Sequence, residues 1–526
     1  MRLASLVTAA ALTAALTAPA QVHTTPMSGR WFAADAEGLN KQVAQAHTLA
    51  TARQGNLTPR PHLAGLIVPH AGLDYSGAVA AEAWQLAAAH PRNRTIILLA
   101  FSHKGGPRGV VSPKVSAYKT PLGTIPVNTR VAAELGFPQV AESELCDHSL
   151  ENQLPFLHGI VGQAGFVPLY VGPLTPSELN AAAKKLALRA AQGDLIVASS
   201  DFTHHGPGYG YQPFSQNDTL PEQLRDRALE AFEHIGSLDV PLFDRFLAET
   251  GDTICGVHPI RLLMASLHAA RLPHGRVYMT TLDYVNSGQL TRDWTLAVSY
   301  GALAFHPAQS FAVAEPDRNS LLAHARAALD SGKPSAAPSP AHLNQRTGVF
   351  VTLKKKGELR GCIGTLSPRT ALPATIADRT LAAAKSDPRF PPYTPGEGPV
   401  TLELSLLTPL RRLPNWRAWQ PGMGAVLMVK DTNGQQQGGL LLPQIATENG
   451  WGRDEFLKNL SLKAGVPPDS FKRRDARLYV FEAQVFAEPE SAANGASPAA
   501  DAPSPAANAP SPAAKAPSPA AARAGH

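Results

Sequence analysis

The stretch that decides the fold is Leu195-Ile196-Val197-Ala198-Ser199-Ser200-Asp201-Phe202-Thr203-His204-His205-Gly206, an apolar run that leads directly into an acid and two histidines. Two other segments share this pattern: residues 65–68 lead to His70, and residues 96–101 lead to His103. Continuous apolar runs are typical of strands covered on both faces, and ligands bind beyond the carboxyl ends of such strands. The sequence therefore predicts that these histidines converge on one crevice.

Strand-like and helix-like segments alternate through the first part of the chain. Residues 78–89 and 177–191 have helical character, and residues 95–101 and 166–171 are strand-like. Such alternation is typical of an α/β domain with a largely parallel sheet. We expect this domain to cover residues 21–306.

The later part of the chain has a different pattern. Residues 348–353 and 359–364 are strand-like segments separated by a lysine- and glycine-containing turn, and residues 400–407 alternate as a half-buried strand. A hairpin with alternating strands predicts an α+β domain, which we place at residues 316–488 after a linker at 307–315. The length of 526 residues also exceeds the size at which single cores stop growing, about 250–300 residues.

Composition excludes several classes of function. Three cysteines cannot form a disulfide framework, and the excess of 47 Lys+Arg over 41 Asp+Glu is diffuse. Basic residues do not cluster beside stacking aromatic residues, so we expect no nucleic-acid partner.

Both ends of the chain are predicted to lie outside the folded domains. Residues 1–20 have Arg2, an Ala/Leu/Thr-rich stretch and a small-x-small cleavage pattern, which predicts a signal peptide and an exported, periplasmic protein. The alternative is a cytoplasmic protein that starts at Met27 or another site. No later segment has about 18 uninterrupted apolar residues, so we expect no membrane span in the mature protein. Residues 489–526 repeat Ala-Pro-Ser-Pro-Ala-Ala, which predicts a disordered tail.

The residues at the strand ends suggest a metal site. Neutral imidazole is a common ligand for transition metals, and two histidines with an anionic third ligand leave coordination positions open. The best third candidate is Cys255, because a helix predicted from Pro259 would favour its thiolate. The alternatives are a small buried cysteine and hydrogen-bonded structural histidines.

Five motifs, in order, resemble those of the Memo family: Pro69-His70-Ala71-Gly72, Ser102-His103, Asp147-His148-Ser149-Leu150-Glu151, Ser199-Ser200-Asp201-Phe202-Thr203-His204 and Ile254-Cys255-Gly256-Val257-His258-Pro259. The resemblance implies a fold like that of class III extradiol dioxygenases. It also implies His70, His103 and Cys255 as metal ligands, with Asp201 and His204 as catalytic residues facing the metal. Those dioxygenases complete an iron site with a carboxylate, whereas a cysteine favours copper or a redox-active iron. We therefore expect iron(II) or copper as the cofactor.

The second domain resembles the AMMECR1 family through Leu359-Arg360-Gly361-Cys362-Ile363-Gly364-Thr365, Asp387-Pro388-Arg389-Phe390-Pro391-Pro392, Leu406-Leu407-Thr408-Pro409 and Gly439-Leu440-Leu441-Leu442-Pro443-Gln444. This resemblance implies a fold and no defined reaction. Cys362 is either core or part of a small reactive pocket. In prokaryotes the two families often accompany a radical-SAM protein, which implies a pathway partner; an exported protein would not meet that partner in the cytosol.

Two classes of function follow. In the first, the protein is a metal-dependent, dioxygenase-like oxidoreductase acting on an unknown small molecule, in which His204, held by Asp201, transfers a proton. In the second, it binds a metal or a partner without turnover. Asp147, His148 and Glu151 either orient the ligands or cap a helix.

Overall fold

The computed structural model describes residues 21–55, 58–90, 94–273, 275–334 and 340–489. The predicted signal peptide at 1–20 lies outside the described residues, and so does the predicted tail apart from residue 489. Within the described ranges, no helix combines the length and the apolar character needed to cross a membrane.

The first part of the described chain contains twelve strands and eleven α-helices. The strands are β1 (Val22–Thr24), β2 (Gly65–Val68), β3 (Ile96–Ala100), β4 (Val110–Pro113), β5 (Ala117–Thr120), β6 (Gly123–Pro126), β7 (Gln139–Val140), β8 (Phe166–Val171), β9 (Leu195–Ser199), β10 (His204–His205), β11 (Val277–Asn286) and β12 (Ala297–Pro307). The helices are α1 (Ala36–Gln54), α2 (Leu73–Ala88), α3 (Thr129–Leu135), α4 (Glu142–Leu145), α5 (His148–Glu151), α6 (Leu154–Leu157), α7 (Pro176–Ala191), α8 (Leu220–Gly236), α9 (Val240–Thr250), α10 (Val257–Ala269) and α11 (Ser287–Thr291).

The main sheet of this part has the order β10-β12-β2-β9-β3-β8-β4-β7, with β11 beside β12. Its centre, β2-β9-β3-β8, is parallel, and β12 and β4 flank it in the antiparallel sense. Successive residues of β2 enter different cores: Leu66 packs in the core that contains Trp84 of α2, and Ile67 packs in the core that contains Leu263 of α10. The prediction of an α/β domain with a largely parallel sheet is confirmed. The finer likeness to the dioxygenase fold stays a prediction.

The predicted helix at 78–89 begins earlier than expected, at Leu73. Asp74, Ser76 and Gly77 have low helix propensity, so the sequence pattern favoured a later start. Burial of Leu73, Ser76 and Gly77 in the folded protein stabilises the first turn instead.

The second part of the chain is an α+β domain, as predicted. Its helices are α12 (Glu315–Ser331), α13 (Leu372–Lys385), α14 (Pro443–Glu448) and α15 (Arg453–Lys463). Its strands are β13 (Gly348–Lys355), β14 (Glu358–Thr365), β15 (Thr401–Leu407), β16 (Arg411–Arg412), β17 (Gly424–Lys430), β18 (Gln436–Leu441), β19 (Arg477–Phe481) and β20 (Ala483–Ala487). They form two four-stranded antiparallel sheets, ordered β14-β13-β15-β20 and β16-β19-β17-β18.

Polar contacts join the two parts. The guanidinium of Arg60, which is buried, donates hydrogen bonds to Gln345 Oε1, to the carbonyl oxygen of Arg346 and to Thr347 Oγ1. The Phe311 ring lies 4.4 Å from its Cζ. Arg60 lies in the first part and these acceptors, at residues 345–347, lie in the second. The buried cation therefore fixes the position of one part relative to the other. The predicted linker at 307–315 overlaps the end of β12 and a short 3-10 helix at Ala308–Phe311.

Candidate metal site

The residues predicted from the three strand ends line one pocket of about 620 Å³. His70 follows β2, His103 follows β3, and Asp201 and His204 follow β9. The carboxyl ends of neighbouring parallel strands meet at one edge of a sheet, which explains why residues so distant in sequence converge. Other side chains of the pocket wall include His148 and the aromatic residues Trp31, Tyr75, Tyr209 and Tyr300.

His70 is buried, and its hydrogen bonds define its tautomer. Ser199 Oγ donates to the carbonyl oxygen of Ser149, so the same oxygen accepts from His70 Nδ1 at 3.0 Å. Nε2 of His70 then carries the lone pair. Burial, reinforced by the nearby His103, lowers the pKa of His70 to about 3. The ring is therefore neutral at physiological pH, as a metal ligand must be.

His103 is held by Asp147. The backbone N–H and Nδ1 of His103 both contact Asp147 Oδ2, with the ring nitrogen at 3.1 Å. Burial alone would raise the pKa of Asp147, but the hydrogen bonds from His103 hold it below its ordinary value. Asp147 also accepts from the Ser149 N–H and caps α5. Both predicted roles of Asp147 are therefore present in the same side chain.

His148 completes a cluster of imidazoles. One ligand nitrogen each of His70, His103 and His148 lies within 4.8 Å of the others. The His148 ring stacks on Trp31 and on His103, with ring centroids 4.0 Å apart in both cases. Burial, followed by the neighbouring His70 and His103, lowers the pKa of His148 to about 3. The sequence predicts only an orienting or capping role for His148, although this residue lies in one of the five motifs that resemble those of the Memo family.

Cys255 joins this cluster through His70. Its Sγ lies 3.3 Å from His70 Nε2 and accepts from the backbone N–H of Asp201 at 3.2 Å. Gly256, the N-cap of α10, brings the cysteine close to β9, because a Cβ on this glycine would lie 2.4 Å from Ser200 Cβ. The predicted position near a helix N-terminus is confirmed.

Burial of Cys255 acts against the thiolate form that the helix terminus favours. Burial, reinforced by Asp201, raises the pKa of the Cys255 thiol well above its ordinary value. The desolvation of a buried thiolate outweighs the favourable helix terminus. The thiol has two acceptors within reach, His70 Nε2 at 3.3 Å and the carbonyl oxygen of Asp201 at 3.5 Å, and a bound metal would have to replace the thiol proton.

His204 is oriented by Thr253 and not, as expected, by Asp201. Its Nδ1 contacts the carbonyl oxygen of Thr253 at 3.0 Å, and its backbone N–H donates to Thr253 Oγ1 at 2.9 Å. A carbonyl only accepts, so Nδ1 is protonated and Nε2 is free to take a proton. Asp201 instead accepts the backbone N–H of His70 at 2.8 Å. Burial raises the pKa of Asp201 to about 6.

Aromatic side chains line the mouth of the pocket. Tyr75 and Tyr209 are 48% and 42% exposed, and the Tyr209 ring meets the His204 ring edge-on at 5.1 Å. The side chains lining this pocket come from residues 30–300, all in the first part of the chain. Sequence reasoning missed the aromatic residues because they come from four separate segments with no shared pattern.

The second domain has a polar cluster around its predicted motif. The guanidinium of Arg360 pairs with Glu397, and the backbone N–H of Cys362 donates to Asp387. Thr352 Oγ1 lies 3.2 Å from Cys362 Sγ. Burial raises the pKa of Cys362, so this thiol is not an activated nucleophile.

The structure thus defines a two-part protein: an α/β domain with a histidine-lined pocket at its strand ends, followed by an α+β domain. The model of the Memo-like protein family matches residues 24–304, and that of the AMMECR1 family matches residues 322–486. The chain belongs to the Memo-like family and carries an AMMECR1 domain in the same polypeptide.

Several individual proteins are similar to parts of this chain. A Protein memo-1 homolog of Caenorhabditis elegans is 29% identical, with 53% of this chain and 82% of the relative covered. A MEMO1 family protein of Schizosaccharomyces pombe is 31% identical, with 52% and 95% covered. A protein of Methanothermobacter thermautotrophicus is 44% identical, with 28% and 79% covered. A solved structure of an uncharacterized protein from Pyrococcus horikoshii is 33% identical, with 34% and 93% covered and a TM-score of 0.31.

Proposed function

We propose that the pocket binds iron(II) or copper and that the protein is a metal-dependent, dioxygenase-like oxidoreductase acting on a small aromatic or enediol substrate. The observation that carries the proposal is the gathering of His70, His103 and His148 donor atoms within 4.8 Å. Of these three histidines, His70 and His103 are the proposed metal ligands. The proposed third ligand is Cys255, whose Sγ lies 3.3 Å from His70 Nε2.

The donor set fits such a metal. Nδ1 of His70 and Nδ1 of His103 are engaged by Ser199 and Asp147, which leaves the Nε2 lone pairs for coordination. A metal-bound histidine is usually supported by a carboxylate that accepts a hydrogen bond from its second ring N–H. A thiolate at Cys255 would add a soft ligand, which favours copper or redox-active iron over magnesium or calcium.

When bound, the metal would supply Lewis-acid and redox chemistry. The chain itself supplies the proton transfer: His204 Nε2 accepts a proton from a substrate hydroxyl while Nδ1 remains bonded to the Thr253 carbonyl. The buried Asp201 accepts a hydrogen bond from the backbone N–H of His70 and so holds that backbone in place. The walls formed by Trp31 and Tyr300 provide apolar faces for a planar substrate.

The test begins with elemental analysis of the full chain purified without oxygen or chelator. Oxygen uptake is then measured with a panel of catechols. His103→Ala is expected to lose the metal, whereas His204→Ala is expected to retain it and lose oxygen uptake. His268→Ala, an exposed histidine on α10, is the control and should change neither. Stoichiometric metal in the His103→Ala protein would refute this site.

A second candidate is a metal- or partner-binding protein without turnover. The exposed Tyr75, Tyr209 and Leu296 at the pocket mouth favour it, because clustered exposed apolar side chains often mark binding surfaces. Metal retention without oxygen uptake on any substrate of the panel, together with a partner whose binding is lost in Tyr75→Ala, would support this candidate.

We also propose export to the periplasm, because residues 1–20 have the composition of a signal peptide. Mass determination of the mature N-terminus in the native host tests it: a start near residue 21 supports export, and an intact leader supports the cytoplasmic alternative. Only the latter allows direct contact with a radical-SAM partner, which needs a reducing compartment.

A further inference from the structure

A second group of metal-ligand side chains lies behind the histidine pocket. One ligand atom each of His23, Cys146 and Glu151 lies within 4.8 Å of the others. The three residues come from β1, from the residue after α4 and from the end of α5. None of them lines the histidine pocket.

The two groups draw on the same short segment of chain. Asp147 and His148 face the pocket, as the contact with His103 and the lining of the pocket show. Cys146, just before them, and Glu151, one helical turn after His148, belong to the second group. The segment therefore supplies residues to two different clusters.

Glu151 is a buried carboxylate with little compensation for its charge. It is 0% exposed, and within the described ranges its ion-pair partner is His23, at 3.2 Å between Nε2 and Oε1. Thr25 Oγ1 is its other side-chain hydrogen-bond donor. Buried carboxylates in proteins are either paired with a cation or coordinated to a metal. Among the residues that the structure describes, no lysine or arginine pairs with Glu151.

One ligand–ligand distance of the group is near that of a tetrahedral ion, and the others lie within 4.8 Å. Zinc bonds of about 2.0–2.3 Å separate neighbouring ligand atoms by roughly 3.3–3.7 Å, and the His23–Glu151 contact of 3.2 Å is already near that value. One imidazole nitrogen, one sulfur and one carboxylate oxygen form a donor set that zinc accepts. Tyr118 contacts two of the three ligands: its hydroxyl is 3.5 Å from Cys146 Sγ, and its ring meets the His23 ring edge-on at 5.4 Å.

We propose that His23, Cys146 and Glu151 form a zinc site distinct from the histidine pocket, with water in the fourth position. On binding, zinc replaces the Cys146 thiol proton, which is released to solvent, and replaces the His23–Glu151 hydrogen bond. The His23 side chain is 14% exposed and gives the ion a route of entry. The ion would tie β1 to the Cys146–Glu151 segment and so support Asp147, which holds His103.

The test uses cobalt(II) as a probe for zinc, because cobalt thiolate bonds produce a charge-transfer absorption in the near ultraviolet. The full-length chain is stripped with chelator and titrated with cobalt(II). Cys255→Ser serves as the background, since it removes the thiol of the histidine pocket. The charge-transfer band is expected to persist in this background and to disappear when Cys146→Ser is added.

Matched controls separate the alternatives. Cys362→Ser in the same background should keep the band, and so should His342→Gln, which breaks an exposed histidine–carboxylate pair that contains no cysteine. His23→Gln should weaken cobalt binding at this site at least tenfold. Absence of the band in the Cys255→Ser protein, or its survival in Cys146→Ser, would overturn the proposal.

Two further measurements keep the test decisive. If the Cys255→Ser protein fails to fold, the otherwise wild-type Cys146→Ser protein is used and should bind one metal ion fewer per chain than wild type. Equal stoichiometry would then overturn the proposal. Because the oxygen-uptake assay tests the histidine pocket, loss of that function with retention of the cobalt band would leave the zinc site standing.

Discussion

The Sγ atom of Cys255 lies 3.3 Å from Nε2 of His70, the nitrogen left with a lone pair by the Ser199 hydrogen bond. The Sγ atom also lies 3.5 Å from the carbonyl oxygen of Asp201, so the thiol proton has two acceptors within reach. Metal binding at this pair must release a proton, which makes the affinity depend on pH.

Cys255→Ser is expected to lower the affinity for copper or iron at least tenfold, equivalent to about 1.4 kcal/mol. The reason is the loss of a thiolate ligand, while the similar size of serine preserves packing against His70. Equilibrium dialysis with elemental analysis measures the affinity, and an unchanged melting temperature shows an intact fold. An unchanged affinity would assign the third ligand to His148, and His148→Ala should then be the variant that loses metal.

Asp147→Asn is expected to weaken metal binding by about 10- to 100-fold, the usual effect of removing a carboxylate that supports a metal-bound histidine. Asparagine keeps the size of the side chain but loses the charge that orients His103 through its Nδ1. The same dialysis measurement applies. Asp293→Asn, at the exposed rim of the pocket, is the control. Equal loss in both variants would mean that the effect is one of overall charge.

Asp252 provides a pH-dependent prediction. It is buried, its Oδ1 has no hydrogen-bond partner in the described structure, and burial raises its pKa from 3.8 to about 6. The folded pKa is above the unfolded one, so this group favours folding at low pH. As pH rises from about 4 to about 6, the free energy of unfolding therefore falls by at most about 3 kcal/mol.

Asp252→Asn is therefore expected to stabilise the protein by about 1–2 kcal/mol at neutral pH, because the new buried amide offsets part of the gain. Urea unfolding at several pH values gives the difference from wild type. The variant should be most favoured above about pH 6, and the difference should fall by up to about 3 kcal/mol towards pH 4, where the buried amide leaves the variant less stable than wild type. A difference independent of pH would show that the carboxyl does not titrate with a raised pKa.

Arg60→Met should destabilise the contact between the two domains by about 2–4 kcal/mol, because it removes the donor to the carbonyl oxygen of Arg346 and to the buried Thr347 hydroxyl. Calorimetry is expected to separate the unfolding of the two domains into distinct transitions. Arg346→Met, an exposed arginine beside this contact, is the control. A single unshifted transition would show that Arg60 does not couple the domains.

Metal affinity should be unchanged in Arg60→Met, since all described residues that line the pocket fall within 30–300. By the same reasoning, a fragment of residues 21–306 is expected to be soluble and to bind metal like the full chain. An affinity lower by more than tenfold, about 1.4 kcal/mol, would show that the AMMECR1 domain completes the site. The prediction of separable domains would then fail.

The strands that lead to the site residues, and the crevice at their ends, were predictable from the sequence. The apolar runs before His70, His103 and Asp201 are local patterns, and the placement of ligands beyond parallel strand ends follows from backbone geometry. The α+β character of the second domain followed in the same way from its hairpin. The start of α2 at Leu73 did not, because packing of its first turn overcame low helix propensity.

The sequence by itself thus determined the class of each domain and the residues that meet at the sheet edge. Tertiary structure alone decided the partners at the site: His204 contacts Thr253, His103 contacts Asp147, and the buried Cys255 lies beside His70. It also placed His148 among the imidazoles and drew His23, Cys146 and Glu151 together. The reason is physical: desolvation and hydrogen-bond geometry depend on atoms distant in sequence, which no local pattern encodes.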